Sequence, residues 1–268
     1  MSSHHNSLRW RSGVNLVVIA AALVAITVIT NAYSFNLMLR NFRQSLSSTA
    51  LIYTEQISGK VDKINSGSLE LVSLAASSQN YYTSSPLGRY LTQQDILTRL
   101  QDRIRYVESS DLYFFYRTDS DELLTALSNR ASTGSSYFWN QYLMLPPTQP
   151  ANTWFSVTCN GETWLMCYYN VSQVRVGAAV RAKTLLQSLY ADTGLVQDSG
   201  FALAGLDGTI VYSSQPDLMA CGTSLAGHIP ASLIVESHTV PEVGTLLLFR
   251  PSSDLLHQLS GSFRWLVL

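Results

Sequence analysis

The chain has 268 residues, 46% of them hydrophobic and 13% charged, which is enough for one large or two modest globular units once a membrane anchor is set aside. Its 17 basic and 18 acidic side chains leave a net charge of −1 with no long charge run. Such a chain lacks the basic face that neutralises phosphates, which argues against nucleic acid as a partner.

From Ser12 to Leu39 no charged residue occurs, and Val14 to Ile29 (VNLVVIAAALVAITVI) is almost purely aliphatic. Crossing a bilayer takes about 20 apolar residues, so residues 13–39 read as a transmembrane helix behind a leader of residues 1–12. The alternative, a cleaved signal peptide, has an apolar core of only about 7–15 residues ending in a small-x-small site. This stretch is longer and runs on through YSFNLMLR. Arg9 and Arg11 precede it while Arg40 and Arg43 follow, so flanking charge leaves the orientation open, and a large soluble domain translocates largely regardless of it.

After the anchor, Leu46, Ala50, Tyr53, Ile57, Val61, Ile64, Ser68, Leu71 and Ala75 recur at steps of three and four, close to the helical period. This predicts one long stalk helix whose stripe packs on a domain or on a twin helix; Gly59 and Gly67 weaken it. Thr92, three residues before Asp95, resembles a capping box and starts a second predicted helix through Ile96, Leu100, Ile104 and Val107. The period then changes. Asp111 to Thr118 and Glu122 to Ser128 are strand-like runs around Asp119-Ser120-Asp121, a hairpin.

Residues 129–153 are rich in Ser, Asn, Pro and aromatics, and Pro146, Pro147 and Pro150 exclude continuous regular structure there. WFSVTC and TWLMCYYNV flank Asn160-Gly161, a favoured two-residue turn, and Val174 to Val180 can add a further strand. In that register Cys159 faces Glu162 and Cys167 faces Trp154, too far apart for a disulfide. With Cys221 the three cysteines offer no CxxC pair or metal-ligand spacing, so they read as packed thiols.

Lys183 to Val196 reads as an amphipathic helix with Leu185, Leu186, Leu189 and Tyr190 on its apolar side. In FALAGLDGTIVYSSQP, residues 201–216, a type I′ turn at Asp207-Gly208 pairs Leu206 with Thr209, Ala204 with Val211 and Leu203 with Tyr212. Alternation then groups Phe201, Leu203, Ile210 and Tyr212 on a bulky face, and Ala202, Ala204, Val211 and Ser213 on a small face open to close approach. Pro216 to Ala226 is expected to hold a short helix. Two closing strands, Ser232 to His238 and Gly244 to Arg250, surround Pro241-Glu242-Val243, and Pro251 starts a helix. The final SFRWLVL places Arg264 and Trp265 before an apolar run, as at the start of a second membrane span; a short amphipathic tail is the alternative.

Catalytic signals are sparse. GTSLAG, residues 222–227, misses the nucleophile elbow by one position, and His228 lies too near Ser224 for that family's residue order. No phosphate-binding loop and no H-E-x-x-H occur, and His4 and His5 sit in the polar leader. The Asp119, Asp121, Glu122 group lacks the ordered Gly and later Glu of a calcium loop and reads as a solvated hairpin tip. The chain is therefore expected to be no enzyme and to carry neither metal nor cofactor. Aromatics concentrate in residues 113–169, as in a small-molecule pocket, although most will simply be core. Trp139, Trp154 and Trp164 are the strongest candidate ligand contacts, with Tyr116 and Arg130 as polar ones. Arg130 suits a carboxylate in bidentate fashion, and an exposed surface arginine is its bland alternative.

The order of elements, with FALAGLDGTIVYSS, Cys221-Gly222 and TLLLFRPSSDLL in the second half, resembles the extracellular double Cache (PAS-like) sensor region of bacterial receptor histidine kinases over roughly residues 40–262. The resemblance implies an α+β fold with a transmembrane helix, a stalk helix and two PAS-like antiparallel-sheet modules. Residues 40–182 would form the stalk and membrane-distal module, 183–250 the membrane-proximal module, and 251–268 the exit helix and start of a second span. It implies an extracytoplasmic sensor in the cell membrane, working as a homodimer, that meets a small-molecule ligand or a periplasmic or extracellular partner protein. Its signal would pass through membrane helices to a kinase downstream of Leu268. Amino-acid-binding members carry a Tyr, Arg, Trp-Tyr and Asp pattern; here Arg130 and Trp139 lie nine apart and Asn140 follows Trp139, a departure from it. The rival readings are the sensor of a chemoreceptor or nucleotide-cyclase receptor, and a membrane-anchored interaction protein without effector.

Overall fold

A computed structural model describes residues 3–78, 85–107, 110–128, 151–159, 161–191, 199–226 and 229–253. The chain divides into two compact units, and the unit Ser47–Asp254 carries both sheets. Among the described residues α1 (Ser3–Ser78) is the one helix long and apolar enough to cross a membrane, and Leu16, Val17, Ile19 and Val24 lie exposed along it.

The spacing rule for the stalk holds at every position. All nine stripe residues from Leu46 to Ala75 are buried, including Ser68, whose hydroxyl donates to the Ile64 carbonyl at 3.1 Å instead of facing water. Gly67 weakens the helix by propensity, yet a Cβ there would sit 3.1 Å from Cζ of Tyr113 and closer still to its hydroxyl oxygen. The glycine thus makes room for a buried tyrosine that donates to the Ile64 carbonyl at 3.3 Å.

α2 (Pro86–Tyr106) starts six residues before the expected Thr92. Ser85 is the N-cap, accepting from the Gly88 amide at 3.3 Å, and Pro86 occupies the first turn, where its missing N–H costs nothing. Thr92 lies inside the helix and donates to the Gly88 carbonyl at 3.0 Å, so its capping-box spacing with Asp95 is incidental.

The first sheet contains β1 (Leu112–Arg117), β2 (Glu122–Leu127), β3 (Phe155–Cys159), β4 (Glu162–Val171) and β5 (Val174–Arg181) in the antiparallel order β2-β1-β5-β4-β3. Cys159 pairs with Glu162 across Gly161, whose φ of +77° suits the Asn-Gly turn. Alternation gives the sheet two faces. Tyr113 and Phe115 look back toward α1; Leu112, Phe114, Tyr116, Met166, Tyr168 and Ala179 belong to a front cluster.

Two short helices follow, α3 (Ala182–Leu185) and α4 (Gln187–Ala191), broken at Leu186, in place of the continuous helix expected from Lys183; residues 192–198 lie outside the described residues. Leu185, Leu186 and Leu189 are buried as their spacing requires, and Tyr190 packs edge-on to Phe201 with centroids 4.9 Å apart. The second sheet contains β6 (Gly200–Ala204), β7 (Ile210–Ser213), β8 (Leu233–Val240) and β9 (Gly244–Pro251) in the order β7-β6-β9-β8.

The β6–β7 hairpin departs from the expected turn. Asp207 does not take the positive φ that a type I′ turn needs, and Gly208 does, at +75°. The Gly208 amide donates to the Gly205 carbonyl at 3.0 Å, so Leu206 and Asp207 are the central turn residues. Asp207 fixes this choice by accepting from the Thr209 amide and hydroxyl at 3.0 and 2.9 Å. The longer loop shifts the register: Leu203 pairs with Tyr212 as expected, but Ala204 pairs with Ile210 rather than Val211. Ile210 therefore joins Ala202 and Ala204 on one face, which is a core face shared with Leu247 and Phe249 of β9 and Leu233 of β8 and packed with Met219 and Leu225.

The short helix expected over Pro216 to Ala226 is absent. The Ile210 amide donates to Thr223 at 2.9 Å, Gly222 donates back to Ile210 at 2.8 Å, and Thr209 bridges Ser224, so this segment serves the free edge of β7. Gly222, at φ +85°, turns the chain into that pairing.

The tightest backbone approach in the first sheet falls at Gly177, where an added Cβ would lie 2.2 Å from the Cys167 carbonyl oxygen and 2.8 Å from Phe114. Neither neighbour can move without opening the centre of the sheet. Gly177→Ala is expected to cost about 3 kcal/mol or more of unfolding free energy, the upper range for overpacking, in urea denaturation of the whole chain. An unchanged midpoint would contradict the described packing.

Candidate functional site

The front face of the first sheet collects polar and aromatic groups in one place. Tyr116 on β1 pairs with Arg175 on β5, and Phe114 pairs with Gly177, which pairs with Tyr168 on β4. Gly177 has no side chain to separate the two rings. The Arg175 guanidinium lies 5.7 Å from the Tyr116 centroid and 5.2 Å from that of Tyr168, flanked by two π faces, with 8% of the residue exposed. Phe155 adds an edge contact to Tyr168 at 6.0 Å. The Tyr116 hydroxyl donates to Asp121 at 2.8 Å, tying the ring to the hairpin tip.

A second cation at the edge is committed to structure. Arg181 pairs across the sheet with Trp164, and its guanidinium stands 5.7 Å from that ring. Asp111, fully buried, accepts from Arg181 Nη2 at 3.0 Å, Nε at 3.3 Å and the backbone amide at 2.8 Å, with Ser128 Oγ at 3.2 Å. The carboxylate is satisfied by four donors, which is what a buried charge requires. Its hydrogen bond raises the Arg181 pKa further above its ordinary value.

Of the five residues singled out from sequence, Tyr116 and Trp164 share this front cluster. Trp154 is buried elsewhere: its indole N–H donates to Asn65 on α1 at 3.2 Å, on the stalk side of the sheet. The structure thus separates it from the other two. Arg130 and Trp139 lie outside the described residues. Arg175, Arg181 and Asp111 went unnoticed in sequence because they converge through β1–β5 pairing between strands about sixty residues apart in the chain. Tyr168 was one aromatic among many until its partner Gly177 was known.

The acidic hairpin tip is resolved into separate pairs. Asp119 is bound by Arg117 and falls below its usual carboxylate pKa through that hydrogen bond; Asp121 takes Tyr116 and Glu122 takes Gln93. Among the described residues no group of three or more His, Cys, Asp or Glu side chains is placed to hold a metal. Ser224 Oγ accepts from the Ala226 amide at 3.4 Å, and His228 lies outside the described residues.

No family model and no curated protein matches this chain. Solved structures do. The periplasmic sensory domain of the Campylobacter jejuni chemoreceptor Tlp1 aligns with a TM-score of 0.55 at 10% identity, over 81% of this chain and 97% of that one. The sensory domain of Tlp3 (CcmL) from the same organism aligns with a TM-score of 0.51 at 6% identity, over 83% and 98%. The periplasmic domain of Vibrio cholerae LuxQ covers 78% of this chain and 99% of its own at 12% identity, with a TM-score of 0.42 that carries no weight here. Identities this low establish the fold alone. The chain shares the fold of these two sensory domains: two PAS-like antiparallel sheets and a long N-terminal helix, the α+β class that the sequence resemblance implied.

Burial also sets how the module responds to alkali. It raises Tyr116 and Tyr168 above the ordinary tyrosine value, and pushes Tyr113, Tyr169 and the Cys167 thiol up to about 12. Each folded group holds its proton to higher pH than its unfolded counterpart. The stability they confer is complete below the ordinary values of 10.0 for tyrosine and 9.0 for cysteine, and is lost as pH rises through about 12. Chemical denaturation between those limits should show a falling unfolding free energy, steeper in wild type than in Tyr113→Phe. Equal slopes would contradict the burial of that hydroxyl.

Proposed function

We propose that this chain is the extracytoplasmic ligand-sensing region of a membrane-bound receptor, anchored by the apolar part of α1. The observation that carries the reading is the front face of the first sheet, where Arg175 stands between Tyr116 and Tyr168, while Trp164 lies farther along the same face against Arg181. Aromatic walls with a few fixed polar groups are the chemistry of small-molecule sites. A ligand suited to this face has a flat or apolar body against the rings and an anionic group toward Arg175. The guanidinium recognises carboxylate or phosphate by paired hydrogen bonds. The chain acts by binding and does no chemistry of its own; Ser224 serves the β7 edge in this reading.

The effector we assign is a histidine kinase of a two-component system, in a homodimer whose membrane helices carry the signal. The ordering of elements described above supports it. A chemoreceptor is the second reading, favoured by the sensory-domain fold of Tlp1. A ligand drives either effector only to the extent that it binds one conformation better than the other.

The test is a thermal-shift screen of the full chain in lipid nanodiscs against small mono- and dicarboxylates and phosphate esters. At roughly one hundred times Kd a ligand adds about 2.7 kcal/mol, a shift of several degrees. Arg175→Gln should abolish the shift, Tyr116→Phe should weaken it, and neither should remove the unfolding transition. A hit whose shift is unchanged in Arg175→Gln would overturn the assignment of this face.

A further inference from the structure

Between Lys60 and Asn65, little more than one turn of α1, the stalk is bonded to parts of both sheet modules. From the first sheet, Tyr113 donates its hydroxyl to the Ile64 carbonyl at 3.3 Å, and Trp154 donates its indole N–H to Asn65 Oδ1 at 3.2 Å. Toward the second module, Asn65 Nδ2 donates to Glu242 Oε2 at 2.6 Å, and Lys60 Nζ donates to the Leu185 carbonyl at 2.9 Å. Leu185 ends α3, in the connection between the two sheets, and Glu242 sits in the β8–β9 turn. Ser47, more than three turns earlier on α1, meets His238 of β8 at 3.1 Å.

The bonds are of unequal quality, and the inequality is informative. Tyr113 and Trp154 are buried, so a lost partner would leave a donor without water. Lys60 has its pKa lowered by burial, and its ammonium faces the carbonyl end of a short helix. Glu242 is exposed, but its φ of +66° is a conformation that non-glycine residues adopt rarely, and its charge contributes to raising Cys167 and Tyr169 on β4. The turn that carries Glu242 therefore lies against the back of the first sheet, the side that α1 also meets.

We propose that the Lys60–Asn65 turn is a joint: the first sheet acts on the second module through the Asn65 carboxamide and the Lys60 ammonium. A displacement of β1 or of Trp154 relative to α1 breaks or drags bonds that Asn65 shares with Glu242. The same segment steadies the connection between the sheets through Leu185. The inference rests on the sensor reading only for the use the coupling serves; the coupling itself is measured without ligand.

The experiment is amide hydrogen exchange on the full chain in nanodiscs, comparing wild type with Trp154→Phe and Tyr113→Phe. Each variant keeps an aromatic ring and deletes one donor; Tyr113→Phe removes the hydroxyl alone, whereas Trp154→Phe also replaces the indole by a smaller ring. The joint predicts faster exchange at the far side, for the Val243 amide in the β8–β9 turn and the Leu186 amide after α3, by about fivefold, the factor of one ordinary hydrogen bond. The β4–β5 amides should keep their protection, which shows that the sheet is folded. Because coupling is reciprocal, Lys60→Met should loosen the β1 amides in turn; this arm also decides the matter if a phenylalanine variant fails to fold. Exchange confined to the mutated side in all three variants overturns the joint. Failure of every compound in the ligand screen would leave this result standing.

Discussion

One buried face of α1 is the constraint on which the molecule depends. Nine positions from Leu46 to Ala75 are withdrawn from water, and each Leu, Ile or Val among them contributes roughly 1.5–3 kcal/mol on full burial. No antiparallel sheet of four or five strands covers both its faces unaided. The stalk supplies the missing layer behind the first sheet, and it is bonded along its length to the second module as well. The polar links add little stability, least of all the exposed Asn65–Glu242 pair, but they fix which turn of the helix meets which strand.

The first sheet then has two occupations at once. Successive residues of β1 point to opposite sides, so Tyr113 reaches the stalk while Tyr116, three positions on, flanks Arg175 at the front. In the proposed function, a ligand that presses on Phe114 or Tyr116 bears on the same short strand that carries Tyr113. Gly177 is central to this economy, since its missing side chain lets Phe114 and Tyr168 close over the sheet. Asp111 and Arg181 hold the strand ends together by a satisfied buried pair, which gives the face a fixed frame.

Much of the fold was legible because its signals are local or strongly periodic. The stalk stripe, the Asn-Gly hairpin and the strands on either side of Asp119-Ser120-Asp121 follow from spacing and turn chemistry alone. The failures share a cause. Thr92 and Asp95 have capping spacing, but Ser85-Pro86 starts the helix earlier and more strongly. Asp207-Gly208 has the composition of a two-residue turn, yet the Asp207 side chain bonds forward to Thr209 and lengthens the loop, which moves Ile210 to the other face. The segment after Pro216 pairs with an edge that no local pattern announces. Of the front face on which the proposed function rests, Tyr116 and Trp164 stood out by residue type, whereas Arg175 acquires meaning only when β5 is placed beside β1, a pairing between distant segments. Trp154 had the right chemistry for a ligand contact and spends its N–H on the stalk.

With one buried helix face serving both sheets, the stalk helix and the two sheets should open as one cooperative body. Native-state hydrogen exchange across the whole chain tests it most directly, because the slowest amides report the free energy of opening each segment. One shared opening free energy is expected for the amides of Ile57, Val61 and Ile64 on α1, of Phe114 on β1 and of Leu247 on β9. Sheets that open at separate levels, or a stalk that exchanges well ahead of both, would contradict it.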